Sequence, residues 1–171
     1  MRHIKGYVCI GKFVREELPC REVLYGKSTS NPGKVFQNFQ SNNLEPFKTK
    51  KEALRSKKAL ERLGFSDMER VSLGFVQMEV AETEAECLQL EGKKNLVVLK
   101  KERWTKEEWD IQLIGRGVEG KPGIYPLIGA FLFDNGFKPF LNFDGAIYAA
   151  REVARQAQCP AALATFQLKR L

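Results

Sequence analysis

The sequence predicts an α+β fold made of two tandem, diverged copies of a β-hairpin–loop–helix–strand unit, with helices packed on antiparallel sheet. Three observations predict it. A series of turn and core residues recurs in order: Tyr25-Gly26-Lys27, Pro32-Gly33 and Pro46-Phe47 with Ala53, then Ile114-Gly115-Arg116, Pro122-Gly123 and Pro139-Phe140 with Ala146. A shift of roughly 90 residues carries one series onto the other. Each series also places one capped helical segment between an opening hairpin and a closing strand. The boundaries expected are a first copy at 1–80, a linker at 81–94 and a second copy at 95–171.

In the first copy, residues 6–14 alternate Tyr7, Cys9, Gly11 and Phe13 with Val8, Ile10, Lys12 and Val14, which reads as a strand buried on both faces at its start. Pro19 is expected in the turn and 21–25 in the returning strand. Residues 26–34 are rich in Ser, Asn, Pro and Gly and read as a loop, with 35–39 a short third strand. Residues 48–63 form the clearest helix: Thr49 and Glu52 have capping-box spacing, and Gly64 suits a left-handed end. Residues 71–80 close the unit as a strand.

The linker 81–94 is acidic first and basic last, with helical character in part. The second copy then runs through a hairpin at 96–104 and 109–114, a glycine-rich loop at 116–123 and a broken apolar stretch at 124–140. Asp144 is expected to cap a helix reaching about Gln158, stopped by Pro160, and 163–168 to form the last strand.

Composition narrows the function classes. With 43% hydrophobic residues among 171, the chain has enough apolar material for a core. The longest apolar runs are broken by Pro126 and Gly129 and are far too short to span a bilayer. The opening residues 1–6 carry charge with no apolar stretch behind them, so a signal peptide is not expected and the expected location is cytoplasmic. Cys9, Cys20, Cys87 and Cys159 are widely spaced and read as buried free thiols rather than a disulfide framework. No close Cys or His pairs exist and the one histidine is His3, on a terminus expected to fray, so neither a metal nor another cofactor is expected.

The net charge of +7 favours a polyanion, either nucleic acid (DNA or RNA left open) or an acidic protein surface. The binding residues expected are Lys48, Lys51, Arg55, Lys58 and Arg62, spaced to share one helix face, with Ala53, Leu54, Leu60 and Leu63 inward. Lys27 and Lys34 in the first loop, and Arg116 and Lys121 in the second, add cations at equivalent places. Trp104 and Trp109 flank a charged turn and can stack on unpaired bases, with Tyr25 a further aromatic near a loop. Phe131, Phe133, Phe137, Phe140 and Phe143 read as core.

Several enzymatic motifs are excluded. The glycine-rich loops lack the Gly-Lys-Ser/Thr of a P-loop and the dinucleotide fingerprint. Gly123-Ile124-Tyr125 resembles half of the GIY-YIG nuclease signature, but the second half is missing. Asp67 with Glu91-Gly92-Lys93 matches the letters of a metal-dependent nuclease and forms a distant third reading. The leading expectation is a non-enzymatic nucleic-acid-binding protein; the alternative is an inhibitor or adaptor acting on a nucleic-acid-processing complex.

Overall fold

The computed structural model describes residues 1–15, 18–28, 35–103, 109–115, 131–133, 139–158 and 162–171. A hairpin of β1 (Arg2–Arg15) and β2 (Leu18–Gly26) leads to β3 (Gln37–Asn38), α1 (Lys50–Leu63) and β4 (Met68–Ala81). After α2 (Glu84–Leu88) come β5 (Leu96–Arg103) and β6 (Trp109–Ile114), then β7 (Phe131–Phe133), α3 (Phe143–Ala157) and β8 (Ala162–Arg170). The fold is α+β, and its strands pair antiparallel in the order β3-β2-β1-β4-β8-β5-β6, with β7 also on β2.

Alternation along the strands assigns the two faces of this curled sheet. Ile4, Val8 and Ile10 of β1 share the concave face with Val76, Met78 and Val80 of β4 and with Ala162, Ala164 and Phe166 of β8. Their neighbours point the other way, where two further cores lie. Cys9, Val71 and Leu73 meet Ala53 and Leu60 of α1. Leu96, Val98 and Leu163 meet Ala146, Ala149 and Val153 of α3, with Cys87 and Leu90 closing the edge.

The edges of the curl are covered by exchange between the halves. β7 pairs with β2, Val23 opposite Phe131. In the other direction Gln40, just after β3, occupies the edge of β6: its carbonyl accepts from the Ile111 amide at 3.2 Å, and its side-chain oxygen accepts from the Leu113 amide at 3.0 Å. Pairing of this kind satisfies edge groups that would otherwise be left open. The turn that presents Gln40 is held by Asn42, which bonds the carbonyls of Lys27 and Glu45, while Phe39 and Leu44 plug the concave core.

Several expectations need correction. β1 starts at Arg2, so His3 lies inside a strand opposite Glu79 instead of on a frayed end, because β4 is long enough to pair with it. Pro19 falls within β2 rather than in the turn, and the third strand contracts from 35–39 to Gln37–Asn38. The N-cap of α3 is Asn142, whose side chain accepts from the Gly145 amide at 2.8 Å; Asp144 sits in the first turn. The helix ends at Gln158 with φ of 53°. Within 81–94, Thr83 caps α2 by accepting from the Glu86 amide. Among the described residues no helix is long and apolar enough to cross a membrane.

Candidate functional site

The site is built on α1. Phe47 bridges to Tyr7 of β1 through two backbone bonds of 2.9 and 2.8 Å, which fixes where the helix begins. At Gly6, beside this bridge, an added Cβ would lie 2.6 Å from the Phe47 carbonyl oxygen, so glycine permits the close approach. The Thr49 hydroxyl then accepts from the Glu52 amide at 3.2 Å, and the Glu52 carboxylate accepts from the Thr49 amide at 3.1 Å. This reciprocal capping box is the one the sequence predicts. Gly64, with φ of 58°, ends the helix in the left-handed region, where glycine carries little penalty.

The buried stripe of α1 is Ala53, Ser56 and Leu60. Leu54 and Leu63, expected inward, are 40% and 49% exposed and form the rim. Ser56 takes an inward place because its hydroxyl has a partner, donating to the Val35 carbonyl at 2.9 Å. Opposite that stripe stand Lys51, Arg55, Lys58 and Arg62, all exposed. At ~100° per residue they fall within a sector of about 60° and span about 16 Å of axis. None of the four forms an ion pair with a described residue. Of the acidic residues nearby, Glu61 is held by Lys57 at 2.6 Å and Glu52 is occupied by the cap.

Lys48 is exposed but precedes the N-cap, so it extends the stripe beyond the helix instead of belonging to it. Lys27 is half-buried, and its backbone is tied to Glu45 and Asn42, which puts it on the turn side of the sheet. Lys34, Trp104, Arg116 and Lys121 lie outside the described residues. Trp109 opens β6 opposite Arg103, and its side chain is likewise outside the description. The loop cations are therefore not brought to the helix by any described contact.

The corresponding face of α3 is weaker in charge, as the sequence implies. Arg151 is exposed, and Arg155 is paired with Glu152 at 2.8 Å. That hydrogen bond and charge hold the Glu152 carboxyl below the usual carboxylate range. Tyr25 packs against the core under α1, and burial raises its hydroxyl pKa, so it is not a surface aromatic. Phe140 and Phe143 pack against the core under α3, as expected of them; the other three phenylalanines have no described side chains.

Among the described residues the two cysteine thiols are held in the protonated form. Cys9 is buried, donates to the Ala53 carbonyl at 3.2 Å and has its thiol pushed up to about 11 by burial, which outweighs the lowering by Ser56. A thiol held protonated is a poor nucleophile at neutral pH. Cys87 is also buried and free, and burial pushes its thiol pKa up as well. Asp67 and Glu91 do not meet. Asp67 bonds Val14 at the start of β4, whereas Glu91 follows Leu90, which packs with Ala81 at the far end of that strand. Glu91 also lies in a turn rather than on the strand that the nuclease pattern requires. Among the described residues no group of His, Cys, Asp and Glu could hold a metal ion.

Sequence reasoning missed two features. One is the buried Glu22, paired with Arg170. The other is the outward sheet surface around Phe75, whose alternation was legible but whose exposure depends on where the helices settle. Set against protein-family models, curated proteins and solved structures, the chain matches none of them.

Proposed function

We propose that this chain is a non-enzymatic, cytoplasmic nucleic-acid-binding protein formed from two diverged copies of one α+β unit, with the first copy carrying the main contact surface. The observation that carries the reading is the outward face of α1, where Lys51, Arg55, Lys58 and Arg62 stand exposed without ion-pair partners among the described residues. Cations one helical turn apart can follow a phosphate backbone, and binding of that kind releases counterions.

Duplication accounts for the lopsided charge. Both halves run hairpin, short strand, helix, strand, and both tie the helix entry to the first hairpin strand, by Tyr7 with Phe47 and by Leu96 with Phe140. With the N-caps Thr49 and Asn142 aligned, Lys51, Arg55, Lys58 and Arg62 correspond to Asp144, Tyr148, Arg151 and Arg155. One copy then holds phosphate while the other has diverged.

Joint replacement of Lys51, Arg55 and Lys58 by Gln tests the reading. Affinity for nucleic acid should fall and its salt slope should flatten by about 2 to 3. Unchanged affinity and slope in that variant would remove α1 as the contact surface. A protein partner is the second reading, favoured by apolar exposure near α3, where Leu141 is 75% and Tyr148 52% exposed.

A further inference from the structure

The outward face of the sheet is not fully roofed. α1 covers Cys9, Val71 and Leu73, and α3 covers Leu96, Val98 and Leu163. Between those patches, strand alternation leaves Lys5 on β1, Phe75 and Gln77 on β4, and Gln167 and Lys169 on β8. Lys5, Gln77, Gln167 and Lys169 are exposed and Phe75 is half-buried.

The arrangement around Phe75 is specific. Its ring meets Tyr7 edge-on at 5.1 Å between centroids, which holds its orientation. The Lys5 ammonium lies over the same ring, 5.9 Å from its centroid, and Lys169 is the cross-strand partner of Phe75 on β8. Neither lysine forms an ion pair with a described residue. Glu79, two residues beyond Gln77 on β4, is held by Lys93 at 3.6 Å. Gln77 and Gln167 are themselves cross-strand partners at the middle of the β4–β8 ladder. The surface continues into α1, because Phe47 is bonded to Tyr7 and Lys48 comes next in the chain.

An aromatic ring on the sheet, with Lys5 over it and Lys169 opposite it in the ladder, suits an unpaired base whose flanking phosphates reach the lysines. We propose that this floor binds single-stranded RNA, with a base displacing the Lys5 ammonium from over Phe75 and stacking there, phosphates at Lys5 and Lys169, and the amides of Gln77 and Gln167 meeting a 2′-hydroxyl, which both donates and accepts. The inference rests on the nucleic-acid reading of α1 and extends it from phosphate contact to base contact. Charge complementarity selects the occupant: the floor carries Lys5 and Lys169, and Glu79 beside it is paired with Lys93, whereas an apolar protein partner would meet exposed lysines and glutamines.

The test is anisotropy binding of the full chain to labelled single-stranded RNA, single-stranded DNA and duplex RNA of the same sequence. It includes Phe75→Leu, Phe75→Tyr, Lys169→Gln and the α1 triple variant. Phe75→Leu should weaken single-stranded RNA binding about tenfold or more, Phe75→Tyr should keep it, and duplex binding should change little. Lys169→Gln, at an exposed position with no fold cost expected, should weaken it several-fold and reduce the salt slope by about 0.7. If Phe75→Leu and Lys169→Gln bind like wild type while the α1 triple variant loses affinity, the floor proposal fails and the α1 reading stands. Equal affinity for single-stranded DNA overturns the assignment to RNA. No binding by the wild-type chain overturns both.

Discussion

Glu22 on β2 and Arg170 on β8 meet across the concave face, with two guanidinium nitrogens on the two carboxylate oxygens, the Nη2 to Oε1 contact at 2.8 Å. Three strand spacings separate β2 from β8 in the sheet, about 14 Å if it were flat, so the pair exists because the sheet curls. Glu22 is 2% exposed, whereas the Arg170 side chain is 55% exposed. The charge that depends on the pair is therefore the carboxylate.

Arg170→Ala leaves that carboxylate buried without its described partner. The expected loss is about 2 kcal/mol, below the value for a fully buried pair because water reaches the arginine. The double variant Glu22→Leu with Arg170→Leu should recover part of that loss, as measured by urea denaturation. Equal stability of Arg170→Ala and wild type would show that the pair does not hold the curl.

Gln40 closes the other side. Gln40→Ala removes the acceptor for the Leu113 amide and should cost about 1 to 2 kcal/mol. Hydrogen exchange at Leu113 should accelerate while amides at the β4–β8 centre change only with global stability. Gln40→Glu, which keeps an acceptor, should protect Leu113 better than alanine does.

The ends of α1 respond to single changes. Thr49→Ala removes half of the capping box and should cost about 1 kcal/mol. Gly64→Ala forces a side chain into φ of 58° and should cost about 1 kcal/mol by thermal or urea melts, although no neighbouring atom stands in the way.

Alkaline stability follows the thiol. The Cys9 pKa is raised from 9.0 to about 11, so the folded state favours the protonated form. Below pH 9 this contribution is fully present; as pH rises through the window from 9.0 to about 11, the unfolded chain releases its proton first and stability falls. Cys9→Ala should remove that part of the pH slope. Alkylation of Cys9 in the native protein should be slow at neutral pH, a rate followed by mass spectrometry.

Local chemistry was legible in the sequence and closure was not. Thr49, Glu52 and Gly64 announce α1 because caps are written within four residues of the end they finish. The cationic face followed from helical spacing alone, whereas the inward face was overdrawn: packing against β1 and β4 buries a narrow stripe of Ala53, Ser56 and Leu60 and leaves Leu54 and Leu63 at the rim. Asn142, not Asp144, caps α3 because the cap depends on where the chain leaves the bridge between Leu96 and Phe140. Gln40 with Leu113 and Glu22 with Arg170 join residues 73 and 148 positions apart, and no pattern within one element specifies them. The floor around Phe75 was hidden for the same reason.

The most direct test of the central claim is the salt dependence of wild-type binding, measured by fluorescence anisotropy with single- and double-stranded RNA and DNA. Affinity should fall steeply and linearly in log salt, as phosphate contacts by Lys51, Arg55, Lys58 and Arg62 require. Weak binding to all four nucleic acids with a flat slope would contradict it and turn the search to a protein partner.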